Sequence, residues 1–581
     1  MSVSINAAAR FAEGVSARAR WDTDSAESIF RALCALDFAR PRALTELAVT
    51  LSLQGRAAEA LLAMAEAVAL SPMDATIRQN ALILEKLREP EDPTRFVALH
   101  QQWGSDFAPP GGSLHAYKLR DADPARRLRI AYLGVDAHTA LARFMPILAR
   151  HHDARQFDVL FVYRSQSEAE VAVAMQAMPT VRHLHAEGAS ARSLARTLAM
   201  LDIDIAIDIC GHGVGQVLEA LAFRPAPIQL TWLDYVATTG VSAIDGRIAD
   251  AISDPIDPAW PKVATETTLR LPFAQWCCAP FALPVRAAHA QGVPVFGLIN
   301  ATNKISPALI ARAVRLLQML PNARLRVIGV SGDAACKALL MQVPAALQAR
   351  IEIIGRVAEA EFHRLLGTVD VALDPLVFSG ATSTLDCLWA GIPVVTEPGV
   401  LPHTRSSASI LHTLGLDEWI APDADAFVRI AAALAGDASR LASLRSELPA
   451  RLGQSSLSDG VRFVAALEQL YRAAWQRHLG TVDTPAMAAL AGDASALHRR
   501  LIARANAAAQ TPELQQAIYA LETLALAVPS EAVLRNLSRA WNNLGVALRK
   551  AGRHTDANAG IQIALEIWPA NPEARENLGA K

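Results

Sequence analysis

The chain has 581 residues, of which 52% are hydrophobic, and its formal net charge is −2. A chain of this length is too long for one hydrophobic core, so we expect three or four domains. The near-neutral charge gives no sign of a nucleic-acid partner, and no apolar run approaches the roughly 18 residues that a membrane-spanning helix needs.

The N-terminus and the cysteines predict a cytoplasmic protein. The N-terminal stretch Met1–Trp21 is rich in Arg and Ala, loosely as in a transit peptide, but it lacks the apolar stretch of a signal peptide. We predict a first helix there. The cysteines form no CxxC pair, which argues against a zinc site or a disulfide framework and favours a reducing compartment. They are Cys34, Cys210, Cys277, Cys278, Cys336 and Cys387.

Residues 1–110 are predicted to be helical. Within them, Leu44–Pro72 forms two amphipathic segments that are separated at Gly55, with small residues at Ala58, Ala60 and Ala67. This pattern resembles a tetratricopeptide repeat, whose period is about 34 residues. A simple helical hairpin is the alternative.

From residue 125 onward, short apolar runs alternate with helical stretches. This alternation predicts two parallel sheets covered by helices on both faces, one in residues 125–285 and one in residues 290–480. The predicted strands of the first sheet are Leu128–Val135, Asp158–Tyr163, Asp204–Ile209 and Ile228–Leu233. Those of the second are Val295–Ile299, Arg324–Val330, Ile351–Ile354, Val369–Asp374 and Pro393–Thr396. We expect the helix Gly460–His478 to close the second set.

Residues 485–581 are predicted to form a second helical array. The segment Trp541–Ala574 carries Trp, Leu-Gly, a second Gly, two Ala and Pro at the offsets of a tetratricopeptide repeat, and Asn571 starts the next unit. Glu513–Ala532 is similar to the second helix of a preceding repeat. Such units must stack to bury their apolar faces. Their usual role is to bind a peptide or protein, and self-association into a homo-oligomer is the alternative.

A loop of small residues follows the predicted strand Val369–Asp374. It contains Gly380, Thr382 and Ser383, and Asp386 lies in the first turn of the helix that follows. Backbone N–H groups, hydroxyls and the positive end of a helix dipole suit a phosphate group. Asp386 is placed to accept hydrogen bonds from ribose hydroxyls. An ordinary capped helix is the alternative.

Lys304 follows the strand Val295–Ile299 and precedes a helix that opens with Ser306 and Pro307. At the carboxyl edge of a parallel sheet it would meet a diphosphate from the side opposite the Gly380 loop. A solvated loop lysine is the alternative.

Two histidines follow strands of the first sheet. His212 lies between glycines after Asp204–Ile209, and His138 follows Leu128–Val135. A histidine at such an edge can transfer a proton near neutral pH, whereas a turn histidine that binds a carbonyl is the alternative. Tyr235, Thr238 and Thr239 follow the strand Ile228–Leu233.

These features together predict a sugar-nucleotide site. The chain lacks a GxGxxG motif between a strand and a helix, a Walker sequence, a GxSxG elbow and an HExxH motif. A metal-binding DxD triplet is also absent from loops at strand ends. We therefore expect Lys304 and helix N-termini, without a metal, to neutralise the leaving diphosphate.

The segments RIAYLGVDAH, LAFRPAPIQLTWLDYVATTGVSAID and LDPLVFSGATSTLDCLWAGIPVVTEPG make the chain similar to a known family. It resembles the O-GlcNAc transferase and SPINDLY-like protein glycosyltransferases, which are related to bacterial adhesin N-glucosyltransferases. The resemblance covers residues 128–478. It implies an α/β GT-B fold of two facing, doubly wound Rossmann-like domains, flanked here by the tetratricopeptide-like repeats. It also implies metal-independent inverting transfer of one sugar from a UDP-sugar to Ser/Thr or Asn of a protein, with no cofactor.

The resemblance assigns roles to individual residues. It implies catalytic roles for His212, His138 and Lys304. The implied donor-binding residues are Asn300, Lys304, Phe362, Gly380, Thr382, Ser383 and Asp386, and those on the acceptor and sugar side are Tyr235, Thr238, Thr239, His403 and Arg405.

The chain also departs from the family pattern. The His-Pro motif around His138 is shortened to DAHTA, Ala381 stands where relatives carry His, Ala301 replaces a Gln, and Phe362 replaces a base-stacking His. The donor sugar remains open between GlcNAc, glucose and GDP-linked fucose. Transfer to a small molecule or glycan is an alternative, as is a decayed transferase that serves as a nucleotide-sugar-binding scaffold.

Overall fold

The structure, a computed structural model, describes residues 2–36, 39–109, 123–136, 140–213, 215–255, 260–279, 293–479, 531–568 and 571–579. His138 and nearly all of the predicted helix Glu513–Ala532 lie outside these residues. The chain divides into two compact units. Met1–Phe107 and Cys278–Asp459 form one, which we call the five-stranded unit after its sheet. Ala108–Cys277 and Gly460–Lys581 form the seven-stranded unit.

The N-terminal part of the five-stranded unit is helical. Its helices are α1 (Ser2–Ala19), α2 (Thr23–Leu33), α3 (Arg40–Leu53), α4 (Ala57–Leu70), α5 (Ala75–Glu85) and α6 (Pro93–Asp106). As predicted, α3 and α4 are separated at Gly55, whose φ of 76° favours glycine. Asp22, Asp74 and Asp92 accept backbone hydrogen bonds at the starts of α2, α5 and α6. Buried Ala, Leu and Phe side chains from α1 to α5 form the core of these helices.

The seven-stranded sheet is parallel, with the order β3-β2-β1-β4-β5-β6-β7. Its strands are β1 (Leu128–Val135), β2 (Phe157–Tyr163), β3 (Arg182–His185), β4 (Ile205–Asp208), β5 (Ile228–Thr231), β6 (Gly246–Asp250) and β7 (Thr267–Leu271). Helices α7 (Met145–His151), α8 (Glu168–Ala177), α9 (Ala191–Met200) and α10 (Leu218–Ala222) connect the strands. The four strands predicted from apolar runs are present, whereas β3, β6 and β7 lack such runs and were missed.

The five-stranded sheet is also parallel, with the order β10-β9-β8-β11-β12. Its strands are β8 (Val295–Leu298), β9 (Arg324–Ile328), β10 (Ile351–Ile354), β11 (Val371–Leu373) and β12 (Val394–Val395). Its helices are α11 (Pro307–Met319), α12 (Asp333–Leu340), α13 (Ala345–Gln348), α14 (Glu359–Leu366), α15 (Thr382–Trp389), α16 (Ser406–Thr413), α17 (Ala424–Gly436) and α18 (Ala438–Gly453). All five predicted strands are present, and β8 and β11 are neighbours. Loops that follow these two strands therefore meet at one sheet edge.

Helix α19 (Gly460–Leu479) forms where a helix was predicted but belongs to the other sheet. It packs on α7, β5 and β7, so the second α/β region ends before residue 460 instead of at 480. The buried Tyr471 hydroxyl lies 3.0 Å from that of Tyr132 on β1, and the Glu468 carboxylate lies 3.0 Å from Nδ1 of His152. These polar contacts attach α19 to the first sheet.

The C-terminal helices are α20 (Glu531–Lys550), α21 (His554–Ile567) and α22 (Pro572–Leu578). A Cβ on Gly545 would lie 2.8 Å from the Ala557 carbonyl oxygen, so glycine permits the close approach of α20 and α21. Asn571 accepts the backbone N–H of Ala574 and starts α22, as predicted. In the described residues no helix is long and apolar enough to cross a membrane.

Candidate functional site

The loop after β11 is held by a buried aspartate. Asp374, 2% exposed, accepts hydrogen bonds from the Ser379 hydroxyl, the Gly380 N–H and the Thr396 hydroxyl, each at 2.8 Å. Burial raises the pKa of this carboxyl, and the three donors oppose that rise in pKa. The contacts fix the loop at the carboxyl edge of the sheet.

Gly380 lies so close to neighbouring side chains that the loop has no room for a Cβ atom at this position. A Cβ at this position would lie 2.6 Å from the hydroxyl oxygens of both Ser383 and Thr384. The loop leads directly into α15, where Thr382 and Ser383 occupy the first turn. Thr382 and Asp386 are four residues apart and therefore share one face of the helix. Asp386 is 8% exposed.

The loops after β8 and β11 are joined by a side-chain hydrogen bond. The Ser383 hydroxyl donates to Oδ1 of Asn300 at 2.8 Å. Lys304 lies on a short 3-10 helix after β8, and its Nζ is 3.7 Å from the ring centre of Phe378, which immediately precedes Ser379. The structure thus brings together predicted residues that are about 80 positions apart in the sequence.

A cavity of about 340 Å³ lies beside this pair of loops. It is lined by Ile299, Asn300, Ala301, Ile328, Gly329, Arg356, Val357, Glu359 and Phe362. Phe362 has an aromatic ring and Arg356 a planar guanidinium group, and both types of group can stack on flat ligands. The volume lies within the range of small-molecule sites. Asn300 links the cavity to the Ser383 side of the site.

His212 is buried in the seven-stranded unit. It is 1% exposed, its Nε2 donates to the Thr239 carbonyl at 2.7 Å, and its ring packs edge-on against Tyr235 at 5.4 Å. A carbonyl oxygen only accepts, so Nε2 carries a hydrogen, and in a neutral imidazole Nδ1 is then the acceptor. This is the carbonyl-binding arrangement considered as the alternative. The acid–base role of His212 stays a prediction and would use Nδ1.

The residues predicted on the acceptor side have internal partners. Thr238 and Thr239 are 0% exposed. The Thr238 hydroxyl and the Thr239 N–H both donate to the Glu266 carboxylate, each at 2.7 Å. Tyr235 is buried as well, and burial raises the pKa of its hydroxyl. These contacts give the loop a structural role, and its role in acceptor binding stays a prediction.

His403 and Arg405 lie in the five-stranded unit. His403 is 1% exposed, and its Nε2 donates to the Lys86 carbonyl at 3.2 Å. Its ring contacts those of Phe96 and Phe378, and burial, then the charge of Lys86, lowers its pKa well below 6.5. Arg405 donates to the Gly399 carbonyl at 2.6 Å. Both side chains hold their loop in place, and their role on the acceptor side stays a prediction.

Sequence reasoning missed Asp374, Phe378, Lys86, Arg356 and Glu266, and it also missed Asp208, which ends β4 and accepts the Gly211 N–H at 2.8 Å. Asp208 and Asp374 do carry a signal, since each is an acid at the end of an apolar strand. Lys86 carries none, because it lies in a distant helical segment. In the described part of the chain, no group of three or more His, Cys, Asp and Glu residues is arranged to hold a metal ion.

The sequence profile of glycosyl transferase family 41 matches residues 113–267 and 283–467, which together are more than half of the chain. The chain belongs to glycosyl transferase family 41. The family assignment and the two parallel sheets with their helices agree with the predicted GT-B fold.

Several curated proteins are similar to much of the chain. A tomato (Solanum lycopersicum) protein named "probable UDP-N-acetylglucosamine–peptide N-acetylglucosaminyltransferase SPINDLY" is 29% identical over 431 residues, which cover 70% of this chain and 45% of the relative. The similarly named SEC protein of Arabidopsis thaliana is 27% identical over 382 residues, covering 61% of this chain and 38% of the relative. The chain thus spans about half the length of the curated relatives it matches.

A solved structure is similar to most of the chain. The structure of a mutant O-GlcNAc transferase from Thermobaculum terrenum superimposes with a TM-score of 0.75 at 27% identity, covering 82% of this chain and 92% of that one. The resemblance that the sequence motifs predicted is therefore confirmed.

Proposed function

We propose that this family 41 chain is a protein glycosyltransferase. It transfers a single sugar, GlcNAc or glucose, from a UDP-sugar to Ser/Thr or Asn of a protein in the cytoplasm, with inversion and without a metal. The observation that carries the proposal is the hydrogen bond between Ser383 and Asn300, which joins the Gly380 loop to the loop that carries Lys304. The proposal includes a role for the helical repeats, which bind the acceptor protein or associate with a second copy of the chain.

The geometry of the five-stranded unit suits a nucleotide diphosphate. The N–H groups at the start of α15 and the Lys304 ammonium supply positive charge where a diphosphate would accumulate negative charge as the bond to the sugar breaks. Asp386 would accept hydrogen bonds from the ribose, and the cavity beside Phe362 would hold the base. Each of these side chains belongs to the same edge of one sheet, so their arrangement does not depend on the other unit.

The attacking Ser/Thr or Asn side chain of the acceptor protein loses a proton as it bonds to the sugar, so the site needs a group that accepts this proton. Of the predicted bases, His212 is the one whose surroundings are described, and its Nδ1 would have to accept the proton. Its 1% exposure requires that Nδ1 be reached through a neighbouring polar group or a water molecule.

Ligand binding and transfer can be measured separately. Calorimetry would compare UDP-GlcNAc, UDP-glucose and GDP-fucose on the wild type, Lys304→Ala and Lys337→Ala. Lys337 is an exposed lysine of α12 in the same unit and serves as the charge-matched control. We expect Lys304→Ala to weaken UDP-sugar binding at least ten-fold, as loss of a charged phosphate contact does, and the control to bind normally. Absence of binding of all three donors to the wild type would refute the proposal.

A catalytically decayed, nucleotide-sugar-binding scaffold for protein interactions is the second candidate. Two observations favour it: Ala381 begins α15 without a side-chain hydrogen bond, and His212 is almost fully buried. Mass spectrometry of a peptide pool incubated with enzyme and donor distinguishes the two. Sugar-modified peptides support the transferase, whereas donor binding without any modified peptide supports the scaffold.

A further inference from the structure

Lys86 contacts the same aromatic ring as Lys304. It follows α5 in the N-terminal helical segment, is 4% exposed, and its Nζ lies 4.1 Å from the ring centre of Phe378. Nζ of Lys304 lies 3.7 Å from that centre. The two ammonium groups are therefore separated by no more than the sum of these distances. Phe378 directly precedes the Ser379–Gly380 loop.

The backbone around Lys86 is anchored to the sheet region by hydrogen bonds. The Glu89 carboxylate accepts from the Ser306 hydroxyl at 3.2 Å, just before α11. The Glu91 carboxylate accepts from the Val400 N–H at 2.6 Å. The Lys86 carbonyl accepts from His403. Lys86 is thus held in place and is not a mobile surface lysine.

This arrangement concentrates positive charge beside the loop. Both ammonium groups interact favourably with the Phe378 ring, and in a poorly solvated environment their like charges add in attracting an anion. His403, which touches the same ring, stays neutral because burial and the charge of Lys86 lower its pKa. A ligand with two adjacent anionic groups matches this concentration of charge.

We propose that Lys86 is a positioning residue of the diphosphate subsite, where it fixes Phe378 and adds its charge to that of Lys304. The inference rests on the proposed function, because it takes the diphosphate of a nucleotide sugar as the ligand. It gives the N-terminal helices a role in donor binding besides any role in binding acceptor proteins.

Calorimetry with UDP and with uridine on the full chain tests this role. Uridine lacks phosphate, so an effect of charge on the diphosphate changes UDP binding alone. We expect Lys86→Met to weaken UDP binding roughly ten-fold and to leave uridine binding within about two-fold. Lys86→Arg keeps the charge and should restore most of the UDP affinity. Lys337→Met, which removes an exposed charge of the same unit, is the matched control.

The outcomes separate this inference from the proposed function. Normal UDP binding by Lys86→Met, together with weak binding by Lys304→Ala, overturns the role of Lys86 and leaves the transferase proposal intact. An equal loss of UDP and uridine binding also overturns it, because that result indicates general disruption. Lys86→Gln provides a second uncharged variant if the methionine variant does not fold. A wild type that binds no nucleotide defeats both proposals.

Discussion

Asp208 and Asp374 hold equivalent loops in the two sheets. Asp208 ends β4 and accepts from the Gly211 N–H at 2.8 Å and from the Thr231 hydroxyl at 2.7 Å. Asp374 makes the same pair of contacts with Gly380 and with a threonine after the neighbouring strand. Burial raises the pKa of both carboxyls. A buried acceptor at the end of a strand thus shapes the loop that leads toward each candidate site.

Replacing Asp374 should therefore disturb both stability and donor binding. Asp374→Ala leaves three buried donors without their acceptor, and we expect a loss of about 3 kcal/mol of unfolding free energy. In a unit of this size that loss lowers the unfolding temperature by roughly 6–12 °C, which thermal unfolding would measure. Thr396→Val removes one donor and should cost about 1 kcal/mol. Equal unfolding temperatures for the alanine variant and the wild type would contradict the role assigned to this carboxylate.

The sequence predicts those parts of the site whose residues lie close together along the chain. The small residues around Gly380 and the lysine after β8 are visible because glycine, hydroxyl and lysine side chains follow strand ends. The role of Lys86 cannot be predicted from the sequence, because the ring that it contacts, Phe378, belongs to a distant part of the chain. The burial of Thr238 and Thr239 against Glu266 is invisible for the same reason.

Helix α19 is connected to the seven-stranded sheet by polar contacts as well as by apolar packing. The hydroxyl of Tyr132 lies 2.9 Å from Nε2 of His152 and 3.0 Å from the Tyr471 hydroxyl, and Tyr471 is 0% exposed. These groups form a continuous chain that ends at Glu468. The amphipathic pattern predicts the helix, but an apolar face alone does not specify which of two apolar sheets it covers.

Truncation of Tyr471 measures how strongly α19 is held. Tyr471→Phe removes one hydrogen bond while Tyr132 keeps its contact with His152, so we expect a loss of about 1 kcal/mol. Tyr471→Ala also opens a cavity and should cost roughly 3–5 kcal/mol. Val461→Ala, at a residue of α19 that is 65% exposed, should stay within about 0.5 kcal/mol of the wild type. Thermal unfolding of the three variants gives the order of their stabilities. A Tyr471→Ala variant that is as stable as Val461→Ala would refute this packing.

The strands that the apolar patterns did not predict, β3, β6 and β7, all contain polar or charged residues. Arg247 on β6 is 2% exposed and pairs with Asp254 at 2.6 Å, so a buried strand contains a charged residue. β3 lies at an edge of its sheet and is partly exposed, which permits its polar residues. Apolar patterning identifies the central strands, such as Leu128–Val135, because these are covered on both faces.

At the scale of the whole molecule, the N-terminal helices are part of the five-stranded unit. Asp24 of α2 accepts backbone hydrogen bonds from Asp333 and Ala334 at the start of α12, at 2.6 and 3.3 Å. Arg356, which lines the candidate cavity, stacks over the ring of Trp21 at 3.6 Å. Acids that accept hydrogen bonds at a distant helix look like ordinary exposed acids in the sequence. Helical hairpins were therefore predictable, and their attachment to this sheet region was not.

Acidification should weaken this attachment through two buried histidines. Burial lowers the pKa of His100 to about 3, against an opposing hydrogen bond to the Phe96 carbonyl, and it lowers that of His403 as well. Lys86 and Lys304 lie close enough to disfavour the protonated form of His403 further. Below the ordinary pKa of 6.5 the unfolded chain binds more protons than the folded chain. The stability that these histidines contribute is therefore present above pH 6.5 and is lost as the pH falls.

Thermal unfolding between pH 7.5 and pH 4.5 measures this loss. Each histidine that stays neutral in the fold contributes a slope of up to about 1.4 kcal/mol per pH unit. His100→Leu places an apolar side chain at a site that is 0% exposed and removes one of the two proton-binding groups. We expect this variant to lose less stability than the wild type over that range. Parallel pH profiles for His100→Leu and the wild type would show that the acid sensitivity of the unit arises elsewhere.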